Sequence, residues 1–197
     1  MESDRVIPLV GDYVAQVRTS SELGDSLARL RPLVFGPAFE ADPSLLMNDE
    51  ERARTTLLRR RLDGLHELCW GIYHRDQLIG WTYGLQQSSE MFYMINTGIL
   101  PEHQGKGIYT ALLPHVLEQL RTDGFQIVTS RHVATNSRVI VPKLKAGFFI
   151  AGCELSDRFG LLVLLHYYTS PLRRRVVSAR AGGERPDAAV LAALGIR

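Results

Sequence analysis

Hydrophobic and polar positions change period several times along the chain. Tyr13 to Val17 alternates as a strand does. From Ser20 to Leu65 the spacing turns helical. Leu23, Leu27 and Leu30 predict one helix, which Pro32 ends or kinks before the Gly36-Pro37 break. Leu45, Leu46, Ala53, Leu57, Leu58, Leu62 and Leu65 predict a second, with Arg59-Arg60-Arg61 at its C-terminal end, where cations suit the helix dipole. Three strands follow: Glu67 to His74 and Gln77 to Leu85, joined by a turn at His74-Arg75-Asp76, and then Met91 to Leu100. Together they predict an antiparallel meander, in which Gly98 marks a bulge or a close backbone approach.

After Leu100 the period becomes helical again. Ile108, Ala111, Leu112, Val116, Leu117 and Leu120 form a stripe from Gly107 to about Arg121, with Pro114 inside and Gly124 as the stop. Gln126 to His132 is the next strand, which completes a strand, helix, strand crossover. A short helix from Ser137 to Ala146 is expected to be capped by Asn136 and contains Pro142. Gly147-Phe148 opens a strand to about Cys153, and Leu161 to Tyr168 closes a hairpin with it. The expected fold class is α+β: a mixed, mostly antiparallel sheet flanked by helices, in one domain over residues 1–168. Residues 169–197 are rich in Arg, Ala and Gly. They are expected as a mobile tail, with a short helix near Ala188 to Leu194.

Composition narrows the class only a little. Apolar residues make up 45% and charged residues 22% of the 197, which is ordinary for a globular domain able to bury a full core. A formal charge of +2 is no nucleic-acid signature, and the arginine run at 59–61 reads as a solvated helix face. Cys69 and Cys153 have no metal-ligand spacing, so no metal is expected. The N-terminal Met1-Glu2-Ser3-Asp4-Arg5 lacks a signal-like apolar stretch, and Leu161 to Leu165 is too short to span a bilayer. A cytoplasmic protein without membrane or nucleic-acid partners is the expectation, and a homodimer is compatible with it.

The chemistry concentrates in Pro101-Glu102-His103-Gln104-Gly105-Lys106-Gly107-Ile108-Tyr109. This segment leaves a strand, turns on two glycines and enters an amphipathic helix. Glycines let successive N–H groups converge on an anion, and a helix start adds unpaired donors and partial positive charge. A pyrophosphate suits such a concavity. The P-loop is excluded because Gly107, not Ser or Thr, follows Lys106. A dinucleotide fingerprint belongs at the first strand of a parallel sheet, and a kinase loop needs downstream motifs that this sequence lacks.

From Ile99 to Phe148 the sequence resembles the core of the GNAT N-acyltransferase superfamily. The family's cradle, Gln/Arg-x-x-Gly-x-Gly/Ala at a helix start, is matched by Gln104, Gly107 and, as a departure, Tyr109. Asn136 followed by Lys145-Ala146-Gly147-Phe148 resembles the family's Asn to Leu-Gly-Phe segment at the expected interval. The order of elements is also similar across about Asp12 to Tyr168. The resemblance implies a sheet that splays after the cradle strand and an acyl-CoA co-substrate, acetyl-CoA or another. It further implies that backbone groups of Ile99 and Leu100 pair with the pantetheine arm. N–H groups from Gly105 through Lys106, Gly107 and Ile108 to Tyr109 would hold the pyrophosphate, Lys106 would add a cation, and Asn136 would lie near the thiol.

Catalytic candidates are less sharply defined. Lys143 stands where the family often places a tyrosine that protonates the leaving thiolate, and a cation there would stabilise developing negative charge. The family often places a carboxylate on the cradle strand; Tyr93 is at the closest matching position, with Asn96 a little beyond. Simple alternation puts Tyr93 and Asn96 on opposite faces unless a bulge intervenes. Glu90, acting through water, and His132 are further candidates for a base. Phe35, Phe39, Trp70, Trp81, Phe92 and Tyr93 are candidates for an apolar acceptor pocket, although aromatics at such positions are more often core. The reading that follows is acyl transfer, acetyl by preference, to a primary amine on a small molecule or peptide. Two alternatives stand beside it. One is a GNAT-like module that binds CoA without turnover; the other is an interaction protein whose Arg173-Arg174-Arg175 segment meets an anionic partner.

Overall fold

The computed structural model describes residues 5–36 and 43–196. In chain order the elements are β1 (Val6–Pro8), β2 (Tyr13–Arg18), α1 (Ser20–Phe35), α2 (Asp49–Arg60), β3 (Glu67–His74), β4 (Gln77–Gln86), β5 (Met91–Ile99), α3 (Ile108–Thr122), β6 (Ile127–Val133), α4 (Ser137–Lys145), β7 (Phe149–Ser156), β8 (Gly160–Tyr168), α5 (Pro171–Arg180) and α6 (Ala188–Ala193). The strands form one sheet in the order β1-β2-β3-β4-β5-β6-β8-β7. Neighbours are antiparallel except β5 and β6, which are parallel because α3 carries the chain back between them. The expected mixed, mostly antiparallel sheet flanked by helices is therefore what forms. β1, only three residues long, is too short to show a period in the sequence.

Two helices cover opposite faces. Leu112, Val116 and Leu120 of α3 pack with Trp70, Ile72, Ile79, Phe92 and Val128 in the main core. Leu23 and Leu27 of α1 meet Cys69 and Trp81 on the other face. The N-terminus of α1 is fixed by a capping box, in which Thr19 and Glu22 each bond the other's backbone N–H. Of the two outcomes expected at Pro32, an end is not seen: α1 runs through it to Phe35. Near the end of a helix proline's lost N–H and crowded carbonyl disturb one turn only, and the last turn is closed by Gly36, whose N–H bonds Pro32 O at 3.0 Å.

The second expected helix is shorter than its leucines suggested. Leu45 and Leu46 lie in a 3₁₀ turn, and α2 spans only Asp49–Arg60 with no residue buried. Leu57, Leu58 and Leu62 are each more than half exposed, so this stripe is not core. Capping by Asn48 and Glu51, first-turn acids and last-turn arginines support α2 locally.

Two irregularities shape the middle of the sheet. In the β3–β4 pair, Ile79 is the extra residue, because Leu78 faces Tyr73 and Gly80 faces Ile72. In the β4–β5 pair, Met94 faces Gly84 and Asn96 faces Tyr83, which leaves Ile95 extra. That second bulge overrides simple alternation and turns Tyr93 and Asn96 to the same face, the α1 side. Gly98 is a close approach rather than the bulge, because a Cβ there would run into the Trp81 ring.

Beyond Tyr168, where a mobile tail was expected, the described residues form two helices. Ser170 caps α5 with Pro171 in its first turn, and Asp187 caps α6, which buries Val190. The three arginines of 173–175 have partners within the chain. Arg173 pairs with Glu90 at 3.8 Å, Arg174 bonds the carbonyl of Thr169 at 3.1 Å, and Arg175 pairs with Asp187. Each arginine of the run therefore already has an acidic or carbonyl neighbour within the chain.

Gly98→Ala is expected to destabilise the fold by about 1–3 kcal/mol through overpacking against Trp81. Denaturant unfolding checks this, and an unchanged midpoint would show that the ring has room to move.

Candidate functional site

The glycine loop lies at the end of β5. After a 3₁₀ turn over Pro101–His103, Gly105 and Gly107 take φ of 75° and 77°, which glycine adopts without strain. A Cβ at either would meet nothing within 4 Å, so the loop is open and its glycines serve conformation rather than space. Gly107 is the N-cap of α3 and provides no side-chain cap. Among the described residues, the N–H groups of Gly105 through Thr110 donate to no backbone carbonyl, while the next N–H, of Ala111, bonds Gly107 O at 3.0 Å. A row of donors without backbone acceptors at a helix start is what an anion cradle needs.

Side chains fasten this loop to the end of the sheet. The Gln104 amide donates to Ile99 O at 2.8 Å. Lys106 Nζ donates to the Tyr13 hydroxyl at 3.4 Å, and that oxygen lies 2.9 Å from His103 Nδ1. Tyr13 stacks on His74 with ring centroids 4.6 Å apart. Desolvation holds the His103 pKa below its ordinary value, helped by the Lys106 charge and opposed by Glu102. Tyr109 packs against the main core, and burial raises its hydroxyl pKa, so its ring does not project over the loop. Leu100 has both backbone groups engaged, its N–H with Ile79 O and its carbonyl with His103 N, each at 2.9 Å. The Ile99 carbonyl keeps a second lone pair for a ligand.

The sheet divides beside the loop, and the gap between its halves is the cleft. β5 and β6 pair over only four residues, from Met91 opposite Ile127 to Met94 opposite Ser130. Beyond Met94 they part, β5 following β4 to Ile99 and β6 following β8 to Val133. Lys143 reaches the point of parting from α4 and is 2% exposed. Its Nζ lies 3.7 Å from Met94 Sδ and 4.9 Å from the centre of the Phe148 ring. A thioether is a weak acceptor, so the ammonium form is poorly compensated, and burial lowers the Lys143 pKa to about 7. His132 is 3.1 Å from Ser130 Oγ, and its pKa falls to about 3, first through desolvation and then through the Lys143 charge. Lys143, Met94, Ser130 and His132 thus share the α3 side of the cleft.

Tyr93 and Asn96 are on the α1 side. The Arg131 guanidinium lies 5.0 Å from the centre of the Tyr93 ring and pairs with Glu154 at 3.1 Å. Burial raises the Tyr93 hydroxyl pKa, with Arg131 opposing the shift. The Asn96 side-chain oxygen accepts from Trp81 Nε1 at 2.6 Å and is committed to that bond. Asn136 occupies the N-cap position of α4 but makes no side-chain cap bond, contrary to expectation; its exposed amide is left for another partner. Of the aromatics expected at an acceptor pocket, Trp70 and Phe92 are core, Phe35 packs edge-on against buried Trp81, and Phe39 lies outside the described residues. Glu90 pairs with Arg173. No motif marked Tyr13, His74, Arg131 or Glu154, because strand order alone brings them to the site. Among the described residues no group of three His, Cys, Asp or Glu is placed to hold a metal, and no helix is long and apolar enough to cross a membrane.

An eight-stranded α/β sheet that parts beside an open helix start defines a split-sheet domain. The chain belongs to the acetyltransferase (GNAT) family, whose profile matches residues 34–142, more than half of its length. Acetyl transfer is the chemistry of that family. Solved structures share the fold at low identity. A ribosomal L7/L12 alpha-N-protein acetyltransferase in complex with coenzyme A has a TM-score of 0.61 at 12% identity, covering 83% of this chain and 98% of its own. A putative acetyltransferase from Salmonella typhimurium, with acetyl-CoA, has 0.58 at 13%, covering 82% and 96%. A spermidine N-acetyltransferase from Vibrio cholerae has 0.57 at 16%, covering 81% and 95%. No curated protein matches the sequence.

Lys143 makes stability depend on pH. Its folded pKa of about 7 lies below the unfolded value of about 10.4. The penalty for burying the charge is full below about pH 7 and fades as pH rises toward about 10, because the unfolded chain then holds the extra proton. Lys143→Met is therefore expected to raise the unfolding midpoint most at pH 6, with the difference narrowing by pH 10. A pH-independent difference would place the amine in contact with solvent.

Proposed function

We propose that the chain is an acyl-CoA-dependent N-acyltransferase that moves an acyl group, acetyl by preference, to a primary amine by direct attack. The observation that carries this reading is the row of undonated N–H groups from Gly105 to Thr110, set at the mouth of the β5–β6 cleft. The pyrophosphate would lie on those donors, with Lys106 turning to it from Tyr13. The pantetheine arm would follow the cleft past the Ile99 carbonyl, with the exposed Asn136 amide near its thiol end. The thioester would then reach the floor at Met94 and Ser130.

The two faces of the cleft divide the work. On the α1 side an amine, whose ordinary pKa is about 10.4, must lose a proton before it attacks. Tyr93 is the hydroxyl placed to relay that proton, and Asn96, held by Trp81, shapes the wall. The amine nitrogen then bonds the carbonyl carbon, the C–S bond breaks and its electron pair stays on sulfur. On the α3 side the protonated fraction of Lys143 faces that thiolate, with neutral His132 beside it. Holding both reactants in one cleft supplies much of the rate. The structural neighbours that act on spermidine and on a ribosomal protein support amines of either size as acceptors. A CoA-binding module without turnover is the second reading, favoured by the internal bond that occupies Asn96.

Calorimetric titration with acetyl-CoA, with ATP and NAD as controls, tests the donor, and amine-dependent release of free thiol separates the two readings. Gly107→Glu is expected to weaken acetyl-CoA binding by at least ~10-fold, since a carboxylate would face the pyrophosphate in a conformation unfavourable for non-glycine residues. Parent-like affinity would remove the loop from the site. Tyr93→Phe is expected to slow turnover by about 10-fold or more with little change in donor binding. An identical rate across pH would take the hydroxyl out of the mechanism.

A further inference from the structure

The chain has three lysines, and two of them, Lys106 and Lys145, are exposed. Lys143 is the exception. Its side chain leaves α4 and ends between the two parting strands, in contact with Met94 of β5 and close enough to His132 of β6 to depress that imidazole's pKa. Among the described residues its Nζ meets no carboxylate and no carbonyl, only a thioether and the Phe148 ring. A lysine held merely for structure would be expected to gain a carboxylate or backbone oxygen, because an uncompensated buried charge is costly. Here the surroundings favour the amine with its lone pair free.

We propose that Lys143 is itself an acyl acceptor, modified by the bound acyl donor when no amine substrate occupies the other side of the cleft. The inference rests on the reading of the cleft as the acyl-CoA site. Neutral Nζ adds to the thioester carbonyl carbon, the new C–N bond forms and the C–S bond breaks. The electron pair leaves on sulfur, and the proton lost from nitrogen passes to that thiolate. The products are an Nε-acyl-lysine and free CoA, with no oxidant or further reactant required.

Two features favour this lysine over the others. At pH 7 an exposed lysine is neutral in roughly one molecule in 2,500, given an ordinary pKa of about 10.4. Lys143, with its pKa lowered to about 7, is neutral in about half. Acylation also discharges a group whose pocket offers only a thioether and an aromatic ring. The modification would remove the cation that faces the thiolate and slow turnover on amines, so excess donor would restrain the enzyme.

The experiment is to incubate the full chain with isotopically labelled acetyl-CoA and no amine, then to map the label by peptide mass spectrometry. Binding of CoA is followed in parallel by calorimetry. The expected result is one acetyl group on Lys143, incorporated at least ~10-fold faster than on Lys145, at a rate that rises with pH and levels off above about pH 7. Lys145→Arg, a change at an exposed position, should leave the rate and position of labelling unchanged. Bound CoA with Lys143 unmodified, or label appearing first on Lys106 or Lys145, overturns the inference and leaves the proposed donor site standing. Absence of CoA binding overturns both.

Discussion

The parting of β5 and β6 after four paired residues is the constraint on which the rest of the site depends. Each strand keeps a full partner on its outer side, β4 for β5 and β8 for β6, so the sheet does not need the missing pairs to hold its order. The inner edges are another matter. Backbone N–H and C=O groups that face neither a strand nor water must find a partner, and a cleft between two strand edges suits an extended ligand carrying amides. The extra residue Ile95 bends β5 at the point of parting and increases local twist. The same bulge brings Tyr93 and Asn96 to one face, right where the pairing with β6 ends.

The cleft has walls of different character. On the α3 side, Met94, Phe148 and a neutral His132 surround an amine that has lost most of its solvation. On the α1 side, Arg131 and Glu154 keep charge beside Tyr93. The inequality suits the acyl transfer to an amine proposed above. An attacking nitrogen must shed a proton, whereas a departing sulfur must have its charge compensated, and a uniform environment would favour one step at the expense of the other.

How far these features were legible in the sequence follows from their range. The meander, the crossover helix and the glycine loop are local patterns of period and turn chemistry, and they stand close to where they were expected. The end expected as one outcome at Pro32 did not form, because a proline near a helix end disturbs one turn without ending the helix. The leucines of α2 misled because helical spacing does not say whether a second surface is there to cover them. Alternation separated Tyr93 from Asn96 because the extra residue exists only as a register against β4. The burial of Lys143 was likewise invisible, since its depth depends on Met94 and Phe148 from other elements. Family resemblance marked Lys143, Tyr93 and Asn136 as positions, while the partners that give them chemical character come from the sheet order.

That sheet order also fixes the loop. Tyr13 belongs to β2, three strands from β5, yet its hydroxyl receives Lys106 from the glycine loop. The loop is therefore held at two points, by Gln104 on Ile99 O and by Lys106 on Tyr13, without using any N–H from Gly105 to Thr110. Such fastening orders the loop before an anion arrives, which spares part of the entropy loss on binding. The second hold is the weaker. At 3.4 Å it is a long hydrogen bond that an ammonium exchanges readily for a phosphate oxygen. Gln104, in contrast, grips a carbonyl that can accept a second bond. Gln104 and Lys106 thus fasten the loop while its N–H groups from Gly105 to Thr110 keep no backbone acceptor.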